Sequence, residues 1–229
     1  MPLLLGQAYN VPFNPPAAAP PAGGQDFSDD FNRASGLTNW NDHSQPEITT
    51  IAIDSSVQLK ATSSSTYDNM VMTWTTETDT VDQYCVVCMA DAQASGGTGC
   101  ILRASETNGY LYNINSRKGT DTRWEYNTSH YTYAGVIATS TSYMTDGNCM
   151  WVTITGTSTD TVVEVWFEAA PPTDPDPSTW VAEGGAANES WTADPPAQAE
   201  RDSNVGIGIS CNTGGSKGCQ ADNWYGGDQ

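Results

Sequence analysis

The chain holds two histidines, His43 and His130, as its only imidazole bases, and no G-x-S-x-G elbow presents a serine to either of them. A nucleophilic triad is therefore unsupported. Carboxylates are plentiful, and cleaving a sugar bond takes two of them, about 5 to 5.5 Å apart for retention or about 6.5 to 9.5 Å for inversion. Glu164 and Glu168 bracket Val165-Trp166-Phe167, which reads as a strand. Four residues of strand separate side chains by about 13 Å, so this pair fails without a bulge. Glu77 and Asp79 are closer in sequence but sit in a threonine-rich turn with no aromatic platform. No catalytic residues are assigned, and the chain is expected not to be an enzyme.

Six cysteines offer redox or metal chemistry: Cys85, Cys88, Cys100, Cys149, Cys211 and Cys219. The Cys85-x-x-Cys88 pair lies in a strand-like run, where residues three apart point to opposite faces and cannot chelate one ion. No second C-x-x-C follows at zinc-ribbon spacing, so buried free thiols are expected there. The segment from Cys211 to Cys219 contains Gly214, Gly215 and Gly218 and can close as a disulfide loop. No metal ligands are assigned. Calcium needs only several oxygen ligands, and Asp26 to Asp30 and Asp146-Gly147-Asn148 supply carboxylates. Neither has D-x-D-x-D-G spacing, and ordinary turn chemistry accounts for both.

Glycan binding needs aromatic rings beside polar groups. Tyr110, Tyr112, Trp124, Tyr126, Tyr131 and Tyr133 cluster in sequence, with Arg103, Asn113 and Arg123 nearby. Tyr110 and Tyr112 share one face of a strand, and Trp124 and Tyr126 one face of another. Arg103, Tyr110, Tyr112, Trp124 and Tyr126 are thus the candidate sugar-stacking set; packing between sheets or subunits is the competing role for the same rings.

The elements that must position these residues are strands. Of thirteen prolines, six fall in residues 1 to 25, six between Pro171 and Pro196, and only Pro46 elsewhere. Between those blocks, β-branched and aromatic runs recur: Ile48 to Ile53, Val57 to Ala61, Met70 to Thr75, Gln83 to Met89, Cys100 to Ala104, Tyr110 to Ile114, Trp124 to Tyr126, Gly135 to Thr139, Met150 to Ile154, Val162 to Phe167 and Val205 to Ile209. Such spacing predicts a β-sandwich or barrel. Residues 169 to 198 form a long irregular, proline-rich excursion carrying Trp180 and Trp191, and Ala197 to Asp202 has room for one helical turn.

A net charge of −19, from 27 acidic and 8 basic residues, argues against nucleic acid, whose phosphates demand Lys and Arg stripes. No apolar run nears the twenty residues of a membrane span. Leu3-Leu4-Leu5 is too short for a signal-peptide core and no Lys or Arg precedes it. Asn127-Thr128-Ser129 and Asn188-Glu189-Ser190 match the glycosylation pattern without a secretion signal to use it. Residues 1 to 25 carry no charge, and their prolines set an extended arm. Its anchors are expected to be Leu3, Leu4, Leu5, Tyr9, Val11 and Phe13.

Asp29-Asp30-Phe31-Asn32-Arg33, followed by Leu37 and Trp40, resembles the opening strand of LamG-like modules of the concanavalin A-like lectin/glucanase superfold. Ile101-Leu102-Arg103 with Asn108-Gly109-Tyr110-Leu111 resembles its central hairpin, and Val163-Glu164-Val165-Trp166-Phe167 its late strand. Val205-Gly206-Ile207-Gly208-Ile209 and Ala221-Asp222-Asn223-Trp224-Tyr225 resemble the ending in which the last strand returns beside the first. The resemblance covers roughly residues 27 to 225. It implies an all-β jelly-roll sandwich of two antiparallel sheets, one concave, from residue 26 to 229 behind the arm. It also implies glycan binding on the concave face or rim in many relatives, sometimes with calcium, and hydrolysis in some through an E-x-D-x-x-E strand that Glu164 to Glu168 does not reproduce.

Together these readings predict a structural module displayed on a particle, a phage or virus, and docked to a major particle protein by its arm. On that reading it is a homo-oligomer, a trimer being one form, at the virion surface. The alternative is an extracellular module that binds surface glycans; a polysaccharide-degrading enzyme ranks third.

Overall fold

The computed structural model describes residues 25–33, 36–53, 58–63, 68–91, 96–130, 132–174, 176–195, 204–211 and 220–229. Alternation of apolar and polar side chains along β-branched runs yields fifteen strands among the described residues. They are β1 (Asp26–Asp29), β2 (Trp40–Asp42), β3 (Ile48–Ile53), β4 (Leu59–Ser63), β5 (Asp68–Trp74), β6 (Gln83–Asp91), β7 (Gly97–Ala104) and β8 (Leu111–Arg117). Then follow β9 (Asp121–Ser129), β10 (Thr132–Ser140), β11 (Cys149–Thr155), β12 (Thr161–Glu168), β13 (Glu189–Ala193), β14 (Asn204–Cys211) and β15 (Gln220–Asp228).

All pairings are antiparallel, in two sheets. One runs β13-β12-β11-β6-β15-β4-β3, with β1 also on β15; the other runs β10-β9-β8-β7-β14-β5-β2. The last strand does return beside the first, Asp26 opposite Gly227 and Asp29 opposite Trp224. Asp228 locks that closure, because its carboxylate accepts from the backbone N–H groups of Gln25, Asp79 and Thr80. The all-β jelly-roll sandwich is the observed fold.

Between the sheets lies one core, including Met70, Met72, Cys85, Cys100, Leu102, Val152 and Ile207. Around Trp40 and Trp224 the rings cluster, Trp40 packing edge-on with its centroid 4.6 Å from that of Trp224 and 5.2 Å from that of Trp74. The Asp29 carboxylate explains the opening motif: it is 6 % exposed and accepts from the Phe31 backbone, the Arg33 guanidinium and the Trp40 indole. These contacts fix the chain's entry to the sandwich.

The described residues between 169 and 198 are less irregular than the sequence suggests. They carry a five-residue helix, α1 (Trp180–Gly184), and the edge strand β13 paired to β12. Trp180 is fully buried on the outer face of the eight-stranded sheet, with Trp151, Trp166 and Tyr84 around it. Its burial roofs that face. The turn expected over Ala197 to Asp202, like the arm and its anchors Leu3, Leu4, Leu5, Tyr9, Val11 and Phe13, lies outside the described residues.

One cysteine, Cys88, departs from the expectation of a free thiol. Cys88 on β6 and Cys149 on β11 face each other in register and form a disulfide. Cys85 points into the inter-sheet core and Cys88 to the opposite face, as residues three apart on a strand must. That face is where β11 brings Cys149 alongside, so Cys88 is not the free thiol predicted. Cys85 and Cys100 are free and buried. Cys219 and the Cys211 side chain lie outside the described set.

Candidate functional site

Trp180 roofs part of one sheet, while the outer side of the seven-stranded sheet stays open. A groove of about 270 Å³ crosses it, lined by residues of β5, β8, β9, β10 and β14. Its side chains come from alternate positions: Asn113, Asn115 and Arg117 on β8, Arg123, Glu125 and Asn127 on β9, and Tyr133 on β10. Asn69 and Ser210 close the far side.

Glycines make the floor. A Cβ at Gly99 on β7 would run into the Asn113 amide oxygen and approach the Ile114 carbonyl at 2.8 Å. A Cβ at Gly97 would meet the Asn115 amide oxygen in the same way. Only bare backbone lets the two asparagines lie flat across β7. A hydrogen-bond chain then crosses the sheet: Asn115 Nδ2 donates to Ser210 Oγ at 3.3 Å, and Ser210 donates to Asn69 Oδ1 at 2.8 Å. Oδ1 of Asn113 and Oδ1 of Asn115 are buried acceptors with no partner in the protein.

Charge in the groove is arranged to cancel. Arg117 grips Asp121 with Nε and Nη2, both at 2.6 Å, and Arg123 Nε reaches the same carboxylate at 2.9 Å. Burial opposes ionisation of Asp121, but these two guanidiniums hold its carboxyl below the ordinary Asp value. Arg123 also lies 4.0 Å from Glu125. Burial pushes the Glu125 carboxyl up, against the Asn115 hydrogen bond and the two arginines. Tyr133 is the aromatic ring of the groove and is 51 % exposed.

The candidate sugar-stacking set lies away from this groove. Tyr112 and Trp124 are fully buried, edge to face at 5.8 Å, in the inter-sheet core. Tyr110 and Tyr126 are half-buried against that core. Arg103 is fully buried on a β-bulge at φ 49°, its Nε on the Val81 carbonyl and Nη2 on that of Gly156. It ties strand ends together rather than meeting a ligand. None of the five reaches the groove; their polar alternates do. The signal was present, because a strand whose one face is aromatic and whose other is Asn, Asn, Arg exposes the second.

Other candidates are occupied elsewhere. Glu164 and Glu168 stand on β12, whose register with β11 is unbroken, so no bulge draws them together. Asp26 accepts from the Tyr84 hydroxyl and Asp146 pairs with Lys118. Among the described residues no three His, Cys, Asp or Glu side chains are grouped to hold a metal. His43 and His130, far apart in sequence, stack on each other with centroids 3.7 Å apart.

No family model and no curated protein matches the chain. Solved structures do. Peanut lectin, crystallised with a nine-residue peptide, aligns over 90 % of this chain and 97 % of its own with a TM-score of 0.50 and 13 % identity. SCLam, a non-specific endo-β-1,3(4)-glucanase from family GH16, covers 92 % and 93 % with a TM-score of 0.50 and 11 % identity. The carbohydrate-binding module CBM66 from Bacillus subtilis covers 81 % and 92 % at a TM-score of 0.48 and 10 % identity. The likeness is one of fold, the concanavalin A-like jelly roll.

Proposed function

We propose that this chain is a carbohydrate-binding protein that holds an uncharged, hydroxyl-rich glycan segment in the groove of the seven-stranded sheet. The observation that carries the reading is the row of polar side chains Asn113, Asn115, Glu125 and Asn127 along the groove beside the exposed Tyr133 ring. Such amide and carboxylate groups offer donors and acceptors to sugar hydroxyls. A tyrosine ring beside such acceptors gives the apolar face of a sugar its platform. Arg117 and Arg123 are balanced by Asp121 and Glu125, and the chain carries −19 overall, so nothing here favours an anion over a neutral sugar.

Two neighbours in fold, a lectin and a glucanase, act on carbohydrates by their names. Fold alone does not transfer function, so the weight rests on the groove's own atoms. Binding without hydrolysis fits best: Asp121 and Glu125 lie four apart on β9, and Asp121 is committed to two arginines. An array of neutral oligosaccharides tests the reading. Wild type should bind, and Asn113→Ala, Asn115→Ala and Tyr133→Ala should each weaken the signal. Silence from wild type across the array sinks the proposal, and reducing-sugar release from a bound polysaccharide replaces it with an enzyme.

A further inference from the structure

We propose that the stacked pair His43 and His130 is an acid-sensitive latch that fixes one wall of the groove, so that acidification loosens the bound glycan. The inference rests on the reading of the groove as a glycan site and adds its regulation.

The latch joins two distant parts of the sheet. His43 follows β2, where its N–H donates to the Val71 carbonyl at 2.9 Å, and Ser44 and Gln45 continue the contact with β5. His130 sits in the turn between β9 and β10. The rings meet nearly parallel, 13° apart, over the loop that links β7 to β8. Gly109 of that loop has φ 73°, and a Cβ there would sit 2.7 Å from the His130 backbone nitrogen, so the loop admits the turn only as glycine.

The groups facing the rings come from every packed element. From the β7–β8 loop, the Glu106 carboxylate lies 2.8 Å from His43 Nε2 and the Ser105 carbonyl accepts from His130 Nε2 at 3.0 Å. From β5, the Thr73 hydroxyl lies 3.0 Å from His43 Nε2 and donates to Glu106. From β9, Asn127 Nδ2 donates to the His130 carbonyl at 3.1 Å. Asp42, next to His43 in the chain, spends its carboxylate on the Ser44 N–H.

The Ser105 carbonyl can only accept, so His130 Nε2 holds a proton and further protonation falls on its Nδ1, making the ring a cation. Glu106 balances one such charge. Two imidazoliums stacked at this distance repel, and burial first, then the His43 charge, holds His130 below its ordinary value of 6.5. A histidine whose folded value is depressed stabilises its fold above the unfolded value and loses that contribution as pH falls through it. The latch is therefore closed at neutral pH and strained in acid.

The groove feels this through one short segment. Asn127 and Tyr133 both line the groove and pair with each other across the turn that His130 occupies. The ladder there is irregular, with register shifts at Thr132/Tyr133 and Tyr133/Gly135. That irregular stretch of the wall is the part the latch positions.

Hydrogen exchange of the ligand-free protein tests the latch without any glycan. Corrected for intrinsic rates, exchange in residues 127 to 133 should accelerate by up to about tenfold per pH unit below about pH 6.5. His130→Phe keeps a ring in the stack and should abolish the pH response, whereas Glu106→Gln removes a carboxylate that favours the charged ring and should enlarge the acceleration in acid. Unchanged exchange from about pH 7.5 to about pH 5 in wild type overturns the latch, as does an undiminished response in His130→Phe. Affinity for a neutral oligosaccharide should fall over the same interval in wild type and not in His130→Phe. If no oligosaccharide binds at any pH, the glycan reading fails and the proposed release fails with it, while the exchange result still reports the latch.

Discussion

Trp124 and Tyr133 lie nine positions apart in one hairpin, and replacing each with alanine should produce opposite phenotypes. Trp124 is fully buried between the sheets, its ring 5.8 Å from that of Tyr112. An aromatic side chain of this kind buries about 150–250 Å², which at about 25 cal/mol per Å² is roughly 4–6 kcal/mol. Measured losses for Trp→Ala in cores run about 3–5 kcal/mol. For a domain of this size each kcal/mol is worth about 2–4 °C, so Tm should fall by roughly 10 °C. Tyr133 is 51 % exposed, and its removal should change stability by less than about 0.5 kcal/mol. Its loss should instead weaken a bound oligosaccharide by more than about 1 kcal/mol, about fivefold in Kd. Thermal unfolding followed by circular dichroism, with calorimetric titration of an array-identified sugar, reads both quantities. If Trp124→Ala unfolds like wild type and loses sugar binding while Tyr133→Ala keeps it, the assignment of faces is wrong.

Other outcomes follow from the same geometry. Replacing Cys88 and Cys149 by serine should cost about 2–4 kcal/mol, because the bond closes a loop of 61 residues, and an unchanged Tm speaks against the pairing. Glu125→Gln should raise Tm at about pH 7 and leave it near wild type at about pH 4. A carboxyl raised by burial stabilises the fold when protonated and loses that contribution as pH rises through its folded value. A Gln variant less stable than wild type at neutral pH contradicts this. Gly99→Ala should abolish sugar binding by displacing the Asn113 amide from the groove floor. Full affinity in that variant would falsify the role given to the floor.

Much of the architecture is legible in the chain. Proline confined to the two blocks and Pro46 leaves the middle free for continuous ladders, and all eleven runs named from β-branched spacing overlap strands, Ile48–Ile53 residue for residue. Val57 to Ala61 begins two residues early relative to Leu59–Ser63. β13 was hidden because Glu189-Ser190-Trp191 follows a proline-rich run, and only pairing to β12 makes it a strand. The short helix at Trp180 was hidden because five residues give no period to detect; tertiary burial of one ring holds it.

The groove was half legible. Its strands were identified, and Asn113 and Arg123 were noticed beside the aromatic rings, yet the rings themselves drew the functional reading. By itself the sequence determined that β8 and β9 each carry an aromatic face and a polar face, since side chains alternate with a period of two. Which face meets water was decided by the second sheet, which takes the larger apolar area into the core and leaves Asn113, Asn115, Arg117, Arg123 and Glu125 to line the open side. Contacts between distant positions, Cys88 with Cys149 and His43 with His130, were likewise beyond local pattern. They exist because strand order brings together segments that the chain keeps apart.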